Sequence, residues 1–399
     1  MTRETLLTIA HEHGTPLYAY DASQIRTNLD QLRAVFGPDV EVHFACKALS
    51  NRHILMLLRD WGCGIDAVSQ GELQLALSCG YPTGKINFTP SGAPLEEYLW
   101  ALNQGIDVHV DNLEILDLIG QEQPGAGLSL RFNPGVRGGG HVKLQVGASD
   151  SKFGIYPEEL ERLDAILARH RIRVNGVHVH VGSDVGTTKE FLAAWQHSFD
   201  MAERFGESVK VIDLGGGYKA PLQGQPQPLD LKALSQGVRA MKDDYERRTG
   251  HQITLMLEPG KFLVGNAGYF LVTVTSTKQL ANRTFVYVNS GFNHFLRPMY
   301  YGATHQVSNL SRPEAPVGMH TVVGYLCETD TFAGDVQIAA PRRGDILCFE
   351  NAGAYAMTMA SNYNLRPRPA EVLWDRSSAR VIRPAETIDG RGGVIWYES

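Results

Sequence analysis

Short β-favouring apolar runs recur along the first two thirds of the chain, with stretches of helical spacing between them. The runs are Val42–Cys46, Gly64–Val68, Ile86–Thr89, Ile106–Val110, Leu128–Phe132, Val177–Val181, Val209–Leu214 and Ile253–Leu257. The first five begin about 20 to 22 residues apart, which leaves room for one helix in each gap. Ile25–Phe36 and Gly71–Cys79 carry the apolar spacing of amphipathic helices. Eight strand–helix units predict an α/β fold with a closed (β/α)8 barrel, the TIM-barrel architecture. An open doubly wound sheet is the alternative. No Gly-x-Gly-x-x-Gly opens the first unit, so a dinucleotide site has little support.

Beyond about residue 265 the pattern turns to alternating strands and turns: Tyr269–Thr275, Thr284–Val288, Thr321–Tyr325, Asp345–Phe349, Glu371–Trp374 and Val394–Tyr397. Long helical periods are mostly missing there, which predicts a separate β-rich domain of barrel or sandwich type. Thr15–Tyr20 also reads as a strand. The expected organisation is an N-terminal strand segment (1–24) packing with the β domain, a barrel (25–265) and a C-terminal β domain (266–399). No low-complexity linker divides them.

The 399 residues, 43% hydrophobic and 20% charged, exceed what one core organises, in keeping with two folding units. A net charge of −6 with no basic domain argues against nucleic acid or an anionic membrane as partner. No run approaches the ~18 apolar residues of a membrane span, and the first ten residues are too weakly apolar for a secretory leader. The five cysteines (Cys46, Cys63, Cys79, Cys327, Cys348) are scattered and form no C-x-x-C pair. A cytoplasmic, reducing-compartment protein is expected.

In barrel enzymes the C-terminal strand ends carry the chemistry, because loops converge there. At or just after the eight strand ends stand Lys47, Asp66, Thr89, Asp111, Asn133, His180, Gly215–Gly217 and Glu258. Singly, each marks only the place where polarity resumes. Lys47 follows an apolar strand, where desolvation favours the neutral amine and makes it a nucleophile for a carbonyl; a solvated lysine occupies such a position equally well. The Gly215-Gly216-Gly217 triplet frees backbone N–H groups to close around an anion such as phosphate, or simply makes a tight turn. Glu258 is placed to hold a protonated ring nitrogen, or is a surface carboxylate before Pro259-Gly260. His178 and His180 fall on one face of a strand at period two. The pair is a possible metal site lacking a third ligand nearby in sequence, or His180 is a flat ring stacked on a cofactor. Amine, phosphate cradle, stacking ring and carboxylate together point to pyridoxal 5′-phosphate.

Longer motifs then carry a resemblance. They are Phe44-Ala-Cys-Lys-Ala-Leu-Ser-Asn51, Asp150-Ser-Lys-Phe-Gly-Ile155, His180-Val-Gly-Ser183 and Glu258-Pro-Gly-Lys261 in the barrel region. In the tail they are Asn293-His-Phe-Leu-Arg-Pro298, Cys327-Glu-Thr-Asp-Thr-Phe332, Ala352-Gly-Ala-Tyr355 and the run Ser361–Glu371. From about Pro16 to about Leu373 the chain resembles the meso-diaminopimelate decarboxylases, within the alanine-racemase-like group of pyridoxal-phosphate enzymes.

The resemblance implies that Lys47 is the amine holding the cofactor until a substrate amine displaces it. Asp66 and His180 would flank the cofactor. Ser183, Gly215, Gly216 and Gly217, with the Glu258–Lys261 loop including Gly260, would surround its phosphate. Glu258 would keep the ring nitrogen protonated. Cys327 would return a proton to the substrate carbon and, with Glu328, would come from the second subunit of a homodimer. Arg297, Tyr301 and Tyr355 would hold the substrate and complete the site, Tyr355 also touching the cofactor.

A diamino dicarboxylate needs fixed charges of both signs at its far end, because unpaired buried charges are costly. Arg297 can grip a carboxylate in two-pronged fashion, and Glu328 can take the distal ammonium. Relatives acting on ornithine or arginine typically carry Asp after the cysteine. Lys261 stands where Arg is usual in the Glu-Pro-Gly motif, and a lysine cannot make arginine's planar fork. Other readings remain: a related decarboxylase of another amino acid or of a siderophore or antibiotic intermediate, an amino-acid racemase, and a non-catalytic cofactor carrier.

Overall fold

A computed structural model describes residues 1–136, 138–139, 147–148, 150–222, 224–388 and 394–395. The chain divides into two compact units. One comprises Leu29–Pro221 and Pro226–Phe262; the other comprises Met1–Asn28 and Leu263–Ser399, with the short Leu222–Gln225 stretch.

Strand β1 (Leu17–Asp21) belongs to the second unit. The eight strands of the first unit are β2 (Val40–Ala45), β3 (Gly64–Ala67), β4 (Ile86–Phe88), β5 (Asp107–Val110), β6 (Gly127–Arg131), β7 (Arg173–His178), β8 (Val211–Asp213) and β9 (Thr254–Leu257). They run parallel in sequence order, and β2 pairs with β9 (Val40↔Leu255) to close the barrel. The closed form, rather than the open sheet, is therefore the fold. The returning helices start where small polar side chains satisfy otherwise orphaned amides. Asn51 accepts from the N–H of His53, Ser69 from Glu72, Asn112 from Glu114 and Ile115, and Asp230 from Ala233.

The barrel interior is unusually polar for a fold normally packed with branched apolar side chains. His43, Asp66, Asn87, His109, Ser129, Arg131, His178 and Asp213 all lie in barrel strands and are buried. Bare glycine backbone makes the room. A Cβ on Gly64 would stand 2.5 Å from the His43 ring, and one on Gly176 would stand 2.5 Å from Ser129 Oγ.

Strand β7 corrects the expected Val177–Val181: it begins at Arg173 and stops at His178. Gly176 sits mid-strand, where a neighbouring side chain needs its space. His178 and His180 consequently do not share a strand face. His178 points among the buried barrel groups, and His180 lies in the loop beyond.

In the second unit β1 is the organising strand. It pairs antiparallel with Gly268–Gln279 and parallel with Ala370–Trp374, inside a nine-stranded sheet. Its alternate residues Leu17 and Ala19 join Tyr269, Leu271, Cys348 and Val372 in one core. A helix the sequence reading passed over, Arg3–His13, covers that core with Leu6, Ile9 and Ala10. Further strands not expected from sequence are Val307–Asn309, Thr331–Ala339 and Ala379–Arg383. The expected Val394–Tyr397 strand survives as Val394–Ile395, with 396 and 397 outside the described residues.

Candidate active site

In the barrel unit, a single 3-10 turn (Cys46–Ala48) follows β2 and carries Lys47. Its ammonium lies 2.8 Å from Asp66 Oδ2 on β3, with 40% of the lysine side chain exposed and none of Asp66. The amine is thus ion-paired rather than stranded among apolar neighbours, which corrects the desolvation expected from sequence. Burial, reinforced by the charge of Glu258, raises the Asp66 carboxyl, while Lys47 opposes the rise. Asp66 Oδ1 is buried with no hydrogen-bond partner among the described residues.

Glu258 follows β9 directly and is buried. Asn87 Nδ2 donates to its Oε1 at 2.8 Å, and Asn87 Oδ1 faces His43 Nδ1 at 2.6 Å. His178 Nε2 lies 3.2 Å from Glu258 Oε2. Burial alone would raise the Glu258 carboxyl, but His178, Lys47 and His109 hold it well below the usual carboxylate range. Burial depresses His178 to about 4, so its imidazole is neutral at physiological pH. Donor atoms of His109, His178, Asp213 and Glu258 all lie within 4.8 Å of one another. The partners that the sequence could not place beside His178 are thus supplied by other strands.

His180 and the glycine triplet meet in the loops after β7 and β8. The Gly216 N–H donates to His180 Nδ1 at 3.1 Å, which fixes the ring hydrogen on Nε2. Burial, helped by the positive charges of Arg131 and Lys47, pushes His180 well below its ordinary pKa.

Each glycine has a backbone reason to be glycine. Added Cβ atoms would stand 2.3 Å from Val179 O at Gly215, 2.1 Å from Glu258 O at Gly216 and 1.9 Å from Gly182 O at Gly217. Tyr218 Oη donates to Gly215 O at 3.1 Å and ties the turn to the aromatic group of Phe191 and Trp195. The amides of Gly215 and Gly216 are donated within the protein, to Asp213 Oδ1 (2.9 Å) and His180. An anion contact from the triplet therefore falls to the Gly217 amide.

Ser183 is half-buried beside the Gly182 carbonyl, and Gly260 is buried at the head of the turn Lys261–Val264. Lys261 Nζ lies 2.7 Å from both carboxylate oxygens of Asp184. Its charge is answered within the barrel unit.

The remaining candidates belong to the second unit. Arg297 is buried and opens the short helix Arg297–Tyr301, its guanidinium carbon 5.8 Å from the Tyr301 ring centroid. Cys327 is exposed in the turn between strands Val317–Val323 and Thr331–Ala339, and its N–H donates to Asn364 Oδ1 at 3.4 Å. Tyr363 Oη donates to the Glu328 carboxylate, which raises the tyrosine pKa. Tyr355 holds a φ of +53°, a left-handed conformation that a bulky residue adopts where the surroundings enforce it.

Sequence reasoning missed Asn87, His109, Asp184 and Asp213 as parts of this site. A signal was present for three of them: a polar residue inside a mainly apolar strand run.

A barrel mouth with an ion-paired lysine, a neutral imidazole and a buried carboxylate has the groups that pyridoxal phosphate needs. Residues 22–265 match the family described as pyridoxal-dependent decarboxylase, pyridoxal binding domain. Diaminopimelate decarboxylase of Streptomyces coelicolor is 37% identical over 401 residues, covering 96% of this chain and 90% of that one. Its counterpart in Escherichia coli K12 is 36% identical over 406 residues, covering 98% and 96%. A crystal structure of diaminopimelate decarboxylase from Helicobacter pylori, complexed with L-lysine, superposes with a TM-score of 0.87 at 29% identity, covering 97% of each chain. Another crystal structure of a diaminopimelate decarboxylase gives a TM-score of 0.90 at 35% identity, covering 97% of this chain and 94% of that one. The chain belongs to the pyridoxal-dependent decarboxylases, in their diaminopimelate decarboxylase branch.

The cofactor of that family is pyridoxal 5′-phosphate, and the barrel residues fit it. The donor set offers an amine for its aldehyde, an ionised carboxylate for its ring N–H and a backbone amide for its phosphate. The orphaned Asp66 Oδ1 is a further buried acceptor beside the amine.

Proposed function

We propose that this protein removes carbon dioxide from meso-2,6-diaminopimelate to give L-lysine, the closing step of lysine biosynthesis. The observation that carries the reading is Glu258: a buried carboxylate held ionised by Asn87 and His178, in the same barrel that presents Lys47. Bound there, pyridoxal phosphate supplies a protonated ring that takes up the electron pair left when the carboxyl carbon departs as carbon dioxide.

The chain's residues do the rest. Lys47 supplies the amine that holds the cofactor and gives way to the substrate amine, with Asp66 beside it to take the freed positive charge. Glu258 keeps the ring nitrogen protonated, because an ionised carboxylate in a dry site favours a cation next to it. His180, neutral and flat, stacks on the ring. Ser183, the Gly217 amide and Gly260 receive the phosphate, with Gly215 and Gly216 shaping that turn. The Cys327 thiol gives its proton to the carbon that lost the carboxyl group and regains one from solvent.

Glu328 takes the distal ammonium, while Arg297 and Tyr301 take the distal carboxylate. Tyr355 closes over cofactor and substrate. Lys261, held by Asp184, stands with them as a substrate-binding residue. Cys327 and Glu328 serve the barrel of a second subunit, which makes the working form a homodimer. Among the described residues no helix is long and apolar enough to cross a membrane, and a cytoplasmic location accords with the five free thiols.

The test is chiral product analysis after supplying pyridoxal phosphate and meso-, LL- and DD-diaminopimelate, L-lysine, L-ornithine and L-arginine. L-Lysine and carbon dioxide from the meso isomer alone are expected. Gas from ornithine or arginine would move the substrate elsewhere. Scrambled chirality without gas would make the protein a racemase.

A further inference from the structure

Asp213 ends β8, is 1% exposed, and has no part in the chemistry above. Its Oδ1 accepts the Gly215 N–H at 2.9 Å, whereas Oδ2 is buried with no hydrogen-bond partner of its own in standard geometry. The charged and titratable groups facing it are His109, His178, Glu258, Asp66, Arg131 and Tyr218.

A count of charge around this cluster leaves an excess. Three positive groups (Lys47, His109 and Arg131) face five carboxyl groups (Asp66, Asp107, Asp111, Asp213 and Glu258); of these, Lys47 and Asp107 are partly exposed. Lys47 is taken by Asp66 at 2.8 Å and His109 chiefly by Asp107 at 3.1 Å, its other ring nitrogen standing 3.9 Å from Asp213 Oδ2, while Asp111 is the foremost acidic neighbour of Arg131. Asp213 and Glu258 are left as close neighbours, with no cation within hydrogen-bond distance of Asp213 among the described residues. Two adjacent carboxylates sealed from water cannot both stay ionised, so one of them carries a proton.

Geometry decides which. Glu258 has the Asn87 amide at 2.8 Å and His178 Nε2 at 3.2 Å, while Asp213 has one backbone amide at 2.9 Å and His109 Nδ1 no nearer than 3.9 Å. We infer that Asp213 is a positioning residue acting as a neutral carboxylic acid, whose O–H is donated to Glu258 and keeps that carboxylate ionised for the ring nitrogen of the cofactor. Burial and the charge of Glu258 push the Asp213 carboxyl well above its ordinary value, in the same direction. The inference rests on the cofactor reading above and extends it to a residue that touches neither cofactor nor substrate.

Asparagine is the near-isostere of a protonated aspartic acid, with one acceptor for Gly215 and one donor for Glu258. The experiment compares holoenzyme of wild type, Asp213→Asn and Asp213→Ala by infrared spectroscopy with carbon-13-labelled aspartate, by cofactor absorption against pH, and by kcat and KM. Wild type is expected to show a labelled carboxylic-acid carbonyl band at neutral pH that Asp213→Asn lacks. Asp213→Asn should rescue the wild-type absorption profile and kcat to within about threefold, whereas Asp213→Ala loses about 10- to 100-fold in kcat at similar KM. The Asp213→Ala spectrum should move towards that of an unprotonated ring.

Absence of the band, an Asp213→Asn that misfolds, or one as impaired as Asp213→Ala would overturn the inference. So would one equivalent of transition metal per chain that the variants lose. The band belongs to the protein, so its presence in an enzyme that makes no lysine would refute the proposed substrate and leave the proton on Asp213 standing.

Discussion

Lowering the pH from 7 to 5 should loosen the barrel through His178, and the size of the effect follows from its burial. The imidazole has no exposed surface, and its pKa lies at about 4, against about 6.5 for the unfolded chain. Between those values the unfolded state binds the proton and the folded state does not. Stability is therefore complete above about pH 6.5 and is lost as the pH falls towards 4. The full span of about 2.5 pKa units corresponds to about 3 kcal/mol, of which about 2 kcal/mol is already lost at pH 5. In cofactor-free protein, hydrogen exchange of peptides covering β7 and β9, corrected for the intrinsic pH dependence, should show about thirtyfold weaker protection at pH 5 than at pH 7. His178→Gln keeps a polar group and removes the titration, so its protection should fall far less over the same interval. Parallel losses in wild type and variant would refute the reasoning. The second unit has its own comparable group, His294, also depressed to about 4 by burial, so peptides from β1 serve as an internal comparison unaffected by His178→Gln.

Other outcomes follow from single contacts. Gly217→Ala places a methyl group 1.9 Å from Gly182 O at a φ of +97°, and should lower the melting temperature by about 5 °C or more and weaken cofactor retention. Gly84→Ala, with nothing within 4 Å, should leave both unchanged, and equal behaviour of the two variants would refute the close approach. If Cys327 serves a partner's barrel, mixing inactive Lys47→Ala and Cys327→Ala subunits should restore roughly a quarter of wild-type activity after exchange. No recovery with verified exchange would place both residues in one chain.

The barrel strands were legible because each is a compact apolar run bounded by turn residues, and most lie within two residues of their expected limits. The failures share a cause: a local signal outvoted by a distant neighbour. The run expected at Val177 starts at Arg173, and the approach of Ser129 explains the glycine at 176 in mid-strand. The helix Arg3–His13 has its Thr2 cap and its Leu6, Ile9, Ala10 stripe in plain view, but the stripe is short. Its worth comes from the core of the second unit against which it packs. Strand Thr331–Ala339 is broken in sequence by Gly334-Asp335, and Asp335 takes a φ of +49° where the ladder with Val317–Val323 slips register.

The site divides along a similar line. Residues at strand ends could be read from the sequence because polarity resumes there at regular intervals. The groups that set the state of Glu258 could not, because register brings them together: Asp66 beside Asn87, Arg131 beside His178, His178 beside Asp213. Parallel pairing turns partners to the same side of the sheet, and closure of the barrel then gathers them into one dry space. A lone Asn in Ile86-Asn87-Phe88, or a lone Asp in Val211-Ile212-Asp213, is costly to bury unless another strand supplies its partner. A polar residue inside a buried strand is therefore a statement about a distant residue. Read in that way, His109, His178 and Asp213 announce a common partner before any coordinate is known, and Glu258 at the end of β9 is the one whose charge needs them.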